Sequence, residues 1–303
     1  MSASATPAFS FSKRFLAPCS DCAVAPPELV ALAQRRVKER GNIQHATLGV
    51  VSWQALQRVL ALEQRDAESV EVQKQAYLCD EAVDVFIKMV CVRMNSEHYI
   101  EAVTKSAEID LNDHHVRFIT LHSSAWKSLY NRLIGPDKID EADYRKQAWR
   151  MLQRQGIKSE DFDDLRLLDA IFLPWCNKAH WTLGVIFPSK KRFALLNSLS
   201  TGERAADAED RRKKFVAFVK RHLEILARGS VDFGAEGWKE TAFPESGQQT
   251  NGTDCGAFVC LNAVAVARGK GPYMVLEHKM PGVRLGIAAA LVHGSFTDGM
   301  LEL

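Results

Sequence analysis

Gln248-Gln249-Thr250-Asn251-Gly252-Thr253-Asp254-Cys255-Gly256-Ala257-Phe258-Val259-Cys260 is a polar, glycine-containing loop that runs straight into an apolar helix, with a cysteine at the junction. The N–H groups and positive dipole end of a helix favour a thiolate over a thiol, and the thiolate is the nucleophile. Gly256 is expected to leave room for a substrate backbone to come close. A cysteine at a helix start is also an ordinary structural feature, so the reading depends on partners elsewhere in the chain. Cys260, five residues on, falls on another helical face and is expected to be buried.

Those partners lie upstream. Ala179-His180-Trp181 stands where a loop enters a strand, and Asn197-Ser198-Leu199 closes the next strand, seventeen positions after His180. Two neighbouring strands can thus present a histidine and an amide at one sheet edge. A histidine oriented by an amide or carboxylate and facing a thiol is the arrangement a cysteine protease needs. The ring takes the thiol proton, and the third group holds its tautomer.

The rest of the chain supplies a frame. Pro26-Pro27-Glu28 opens a helical pattern that Gly41 closes, a second helix covers about Trp53–Leu62, and a third begins at Asp80-Glu81. Val83, Phe86, Ile87 and Val90 mark the buried face of that third helix. A strand over Val116–Leu121 precedes helices around Ala125–Leu133 and Glu141–Gln155. Strands follow at Ala170–Pro174, Trp181–Phe187 and Arg192–Leu196, then a charged helix over Ala206–Ala227 and a strand around Trp238–Phe243. Helices over Gly256–Ala267 and 280–293 complete the pattern. Clustered strands among more numerous helices predict an α+β fold, a central mixed sheet flanked by helices. Residues 1–26 read as a flexible leader and 27–303 as a single domain.

Composition narrows the function classes. The 39 basic and 37 acidic side chains nearly cancel, giving no argument for a nucleic-acid or membrane partner. No apolar run approaches a membrane span, and no secretory signal is visible. Seven cysteines, an odd number, point to reduced thiols inside a cell, in nucleus or cytoplasm; a secreted microbial effector stays open. Cys19 and Cys22 have the gap of a zinc or redox pair, but neither a second pair nor histidines follow at finger spacing, so no metal or cofactor is expected. Arg211-Arg212-Lys213-Lys214 could serve as a nuclear signal or an anion patch, but the solvated face of a charged helix already accounts for it.

Together, His-Trp, then an amide followed by Ser-Leu, then Gln-x-Asn-Gly-x-Asp-Cys-Gly resemble the Ulp/SENP family of ubiquitin-like-protein-specific cysteine proteases. Tyr77-Leu78-Cys79-Asp80 ahead of a helix, Phe118-Ile119-Thr120, Ile171–Pro174 and the helix over Met280–Val292 also fall in family order, so the resemblance covers about residues 45 to 300. It implies an adenain-like fold and cleavage after the terminal Gly-Gly of SUMO or a related modifier by a monomeric enzyme. The implied roles are Cys255 as nucleophile, His180 as base, Asn197 as the third member and Gln249 as an oxyanion donor. Trp181 and Tyr77 would wall the slot for the glycine tail, and Asp80 would contact an arginine of the modifier. Two departures mark this chain: Asn197 stands where the family has Asp, and Tyr77 where it has Trp. A clan-related acyltransferase and a catalytically weak module that binds ubiquitin-like proteins are the alternatives.

Overall fold

The computed structural model describes residues 25–65, 67–105, 116–135, 139–199, 205–231, 233–234, 237–241, 247–269 and 279–296. The expected leader, with Cys19 and Cys22, falls almost wholly outside them.

Helix α1 (Pro27–Lys38) starts on proline at its first turn, where the missing N–H has no helical partner to lose. A hairpin of β1 (Ile43–His45) and β2 (Gly49–Val51) leads into α2 (Trp53–Leu60), capped by the Ser52 hydroxyl on the Ala55 N–H. The expected helix to Leu62 breaks at Ala61, whose ψ of 62° leaves the helical region. Short helices α3 (Leu62–Arg65) and α4 (Val70–Gln73) and a tight turn over Lys74–Ala76 precede the long α5 (Asp80–Lys105). Next come β3 (Phe118–Thr120), α6 (Ser123–Ile134), α7 (Glu141–Gln153) and α8 (Phe162–Arg166), with α7 capped by Asp140. Strands β4 (Ala170–Asn177), β5 (His180–Phe187) and β6 (Arg192–Leu196) lead to α9 (Ala205–Leu226). Strand β7 (Lys239–Glu240), α10 (Cys255–Ala267) and α11 (Met280–His293) follow.

Of the last expected strand, Lys239–Glu240 forms β7 among the described residues, and residues 242–246 lie outside them. The sheet runs in the order β3-β4-β5-β6-β7, with β3 parallel to β4, β5 antiparallel to both neighbours, and β7 parallel to β6. This is the mixed sheet the sequence predicts. Pro174 sits inside β4, yet β3 ends at Thr120 opposite Phe172, so no β3 residue needs the N–H that proline lacks. The Pro174 carbonyl accepts from the Trp126 indole instead (2.5 Å).

Alternate strand residues feed two cores. Phe172, Trp181, Leu183 and Val185 pack with α5, α10 and α11 on one face. Ile171, Leu173, Trp175 and Phe193 pack with α6, α7 and α9 on the other. Helix α10 is buried at all thirteen of its positions, which explains its small, apolar composition. Among the described residues no helix is long and apolar enough to cross a membrane.

Candidate active site

Strands β4 and β5 extend until only Lys178 and Ala179 separate them, with Asn177 paired to His180. The expected loop is therefore a two-residue hairpin. Both turn residues are left-handed, at φ 50° and 60°, as the tight turns that match strand twist require. The sequence conceals this turn because Lys-Ala carries neither asparagine nor glycine. His180 consequently stands on the first rung of a rigid ladder rather than on a loop.

Its imidazole is 7% exposed, and its Nε2 lies 2.7 Å from Asn197 Oδ1 at the end of β6. The hydrogen bonds around Asn197 settle the roles. Oδ1 also accepts from the Leu199 N–H (3.0 Å), while Nδ2 donates to the Leu199 carbonyl (3.3 Å). Turning the amide over would set an N–H donor against the Leu199 N–H. The oxygen therefore faces His180, Nε2 must carry the proton, and Nδ1 is the basic nitrogen.

The end of β6 is stitched to the loop before Cys255. Gln248 Nε2 donates to the Asn197 carbonyl (3.1 Å), the Gln249 N–H to the Ser198 carbonyl (2.9 Å), and the Ser198 hydroxyl to Gln249 Oε1 (2.7 Å). With its oxygen so engaged, Gln249 Nε2 donates to the Asn251 carbonyl (2.6 Å). Asn251 Oδ1 then accepts from the Thr253 and Asp254 N–H groups, forming the turn that delivers Cys255 to the first position of α10.

Cys255 is 2% exposed. Burial pushes its thiol up to about 11, although the Trp181 and Gly256 backbone N–H groups favour the thiolate. The N–H groups act in the direction the sequence predicts, but desolvation outweighs them. The Trp181 N–H belongs to the peptide that joins it to His180, so the thiol and the imidazole share one corner of the sheet.

Gly256 has a packing role as well as the one expected from the sequence. A Cβ there would lie 2.8 Å from Leu78 Cβ and 3.4 Å from Trp181 Cδ1, so packing inside the chain by itself requires glycine at this position. Glycine is needed because α10 packs directly on this wall. The wall is locked by the Trp181 indole N–H, which donates to the Leu78 carbonyl (2.9 Å). Tyr77 is half-buried, and its hydroxyl approaches Gly252 in the nucleophile loop. Asp80, exposed at the start of α5, lines a polar hollow of about 580 Å³ with Cys176, Ser124 and Lys127. The structure thus gathers Cys255, His180, Trp181, Asn197, Gln249 and Gly256 at one corner, with Tyr77 beside the loop and Asp80 farther out. Cys260 is fully buried, as expected.

Sequence reasoning missed the support beneath this corner. Asp254 is gripped by two buried arginines, Arg65 Nε (2.7 Å) and Arg284 Nη1 (3.1 Å). A signal existed: Arg284 is the single Arg or Lys in α11, which is otherwise apolar up to its terminal His293, and buried charge demands a partner. Among the described residues no group of three or more His, Cys, Asp or Glu side chains could hold a metal ion.

Comparison with known proteins agrees with this architecture. The model of the Ulp1 protease family, C-terminal catalytic domain, matches residues 77–291. The chain belongs to that family. A putative ubiquitin-like-specific protease 1B of Arabidopsis thaliana is 31% identical over 144 residues, 48% of this chain and 40% of that protein. Human sentrin-specific protease 2 is 29% identical over 126 residues, 41% of this chain and 20% of its own length. The matched stretches therefore span well under half of these relatives. The Chaetomium thermophilum Ulp1-like SUMO protease catalytic domain superposes at a TM-score of 0.63 and 22% identity, covering 94% of this chain and 97% of that one. The Ulp1 protease domain solved in complex with SMT3, the yeast ortholog of SUMO, gives 0.60 and 18%, covering 91% and 98%. At these identities the likeness concerns the fold, which is that of Ulp1.

Proposed function

We propose that this protein is a cysteine protease that cleaves after the C-terminal Gly-Gly of SUMO or a related ubiquitin-like modifier, releasing it from precursors or conjugates. The observation that carries the reading is the His180–Asn197 hydrogen bond, which supports Nδ1 as the base at the corner that holds Cys255. Family membership and the names of the relatives, ubiquitin-like-specific and sentrin-specific proteases, support the substrate class.

In this reading His180 Nδ1 takes the Cys255 proton, and the sulfur attacks the carbonyl carbon of the terminal glycine. The carbonyl electron pair moves onto oxygen, where the Cys255 backbone N–H and the second Nε2 hydrogen of Gln249 stabilise it. Collapse expels the amine, which takes the proton from His180, and water then hydrolyses the thioester with His180 again as base. Trp181 and Tyr77 wall the slot for the glycines, and Asp80 meets a basic residue of the modifier. The enzyme works as a monomer in the reducing interior of a cell, nucleus or cytoplasm.

A panel of ubiquitin-like proteins carrying C-terminal electrophiles tests this. SUMO or a close relative should become covalently attached, Cys255→Ala should abolish attachment, and Cys260→Ala should leave it intact. Undiminished labelling of Cys255→Ala would remove the nucleophile from the scheme, and labelling by no member of the panel would remove the substrate class.

A further inference from the structure

Arg284 lies in α11, thirty residues after Asp254, and is 0% exposed. Its guanidinium serves four acceptors. Nη1 donates to Asp254 Oδ1 (3.1 Å), Nε to the Val59 carbonyl (3.0 Å), and Nη2 to the carbonyls of Arg58 and Ala76 (both 2.6 Å). The other Asp254 oxygen accepts from Arg65 Nε (2.7 Å) and Asn251 Nδ2 (2.8 Å). Asp254 in turn starts α10, because its carbonyl takes the Phe258 N–H (3.0 Å). Ala76 lies two residues before Leu78, which carries the acceptor for the Trp181 indole and presses on Gly256. One side chain therefore joins the turn that delivers the nucleophile to the segment that walls its slot.

A buried arginine–carboxylate pair is a poor way to gain stability alone, since apolar side chains of similar volume often serve equally well. Its fork does what an apolar residue does not: it fixes direction at several acceptors at once. We propose that Arg284, seconded by Arg65 at Asp254, is a positioning residue for Cys255 that holds the nucleophile and the Tyr77–Leu78 wall in register.

Charge adds a second effect of the same side chain. The Asp254 carboxylate, adjacent in sequence, opposes a thiolate at Cys255, whereas Arg284 and the Cys255 thiolate attract. Asp254, Arg284 and Cys176 act on this thiol, Arg65 stands behind Asp254, and His180 is joined to the Trp181 N–H that reaches the sulfur. The inference rests on Cys255 being the nucleophile, and its test reads the thiol directly so that the two can fail separately.

Iodoacetamide alkylation of Cys255, located by mass spectrometry, is followed against pH alongside kcat and KM for a modifier fusion. Arg284→Lys keeps the charge and loses the fork; Arg284→Met loses both. Both variants should lower kcat by about tenfold or more with KM within about twofold, as displaced reacting groups do. Only Arg284→Met should move the midpoint of the alkylation profile upward. A role confined to folding would lower the melting temperature while leaving kcat and the profile of the folded fraction native, and that result overturns the proposal. If neither variant folds, Arg65→Lys decides: a lowered kcat at native KM supports the clamp, and native kcat refutes it. Alkylation remains readable even if no modifier fusion is cleaved.

Discussion

Replacing Asn197 by Asp sets two effects against each other, and both can be sized. The carboxylate would sit where Oδ1 now lies, 2.7 Å from His180 Nε2, with charge centres about 4 Å apart. At an effective dielectric of about 20, opposite charges at that distance attract by about 4 kcal/mol. The imidazolium pKa should therefore rise by roughly one to three units. Against this, the second carboxylate oxygen would replace Nδ2, which donates to the Leu199 carbonyl at 3.3 Å. Losing that long bond and opposing two oxygens costs about 1–2 kcal/mol. The gain exceeds the loss. Asn197→Asp should be at least as active as the native protein, and the descending limb of its pH–labelling profile should move upward if that limb reports His180.

Asn197→Ala removes the acceptor without replacing it. His180 then loses its fixed tautomer, and the Leu199 N–H loses its partner, so turnover should fall by about a hundredfold or more. The assay is the rate of covalent labelling by a modifier with a C-terminal electrophile, measured from pH 5 to 10 for all three proteins. If alanine at 197 leaves the rate unchanged across that range, Asn197 is only a turn residue and the proton-transfer scheme is wrong. If aspartate leaves the limb in place, the electrostatic half of the reasoning fails.

Three further outcomes follow from the geometry. Lys178→Asn with Ala179→Gly relieves two left-handed non-glycine residues and should stabilise the protein by about 1–2 kcal/mol in urea unfolding, with kcat unchanged. Gly256→Ala sets a methyl 2.8 Å from Leu78 Cβ, so about 1–3 kcal/mol of stability should be lost together with most of the activity. Burial lowers the His222 pKa to about 4, and its Nδ1 bonds the Tyr144 hydroxyl (2.8 Å). Its folded pKa lies below the unfolded value of about 6.5, so the stability it provides is complete above pH 6.5 and declines by up to about 3 kcal/mol as pH falls towards 4. Asp84, pushed up to about 6 by burial, acts with the opposite sign in that window. The measurement is therefore the difference in urea midpoint between native protein and His222→Gln, which should narrow steadily as the pH is lowered.

Helix α5 was legible from its periodicity, and Val83, Phe86, Ile87 and Val90 are all buried. The pairing of His180 with Asn197 was legible too, because a strand–turn–strand unit places residues seventeen apart at one edge. What escaped has a physical reason in each case. The Lys178-Ala179 turn carries no local signal, since the ladder from Ile171 to Asn177 imposes the left-handed geometry on residues that do not favour it. The Arg65–Asp254–Arg284 cluster joins residues far apart in sequence, and no local pattern reports such a contact. The thiol environment at Cys255 depends on how much water is excluded, which a helix start alone does not reveal.

Under the proposed function, a thiol that burial pushes up to about 11 must still be activated. Burial penalises a lone thiolate, but proton transfer to His180 creates a thiolate and an imidazolium side by side. A low-dielectric corner opposes such a pair far less than an isolated charge, because each member neutralises the other. Activation of Cys255 is then governed by how firmly His180 is held and how readily it accepts charge. Both depend on Asn197, one of the two positions at which the sequence resemblance to the family breaks. An amide there fixes the ring without favouring its cation, which under the proposed function leaves the proton on sulfur until substrate binds. The charged pair would form mainly once substrate closes the corner, an order of events that Asn197→Asp should reverse by allowing fast alkylation of Cys255 in the free enzyme.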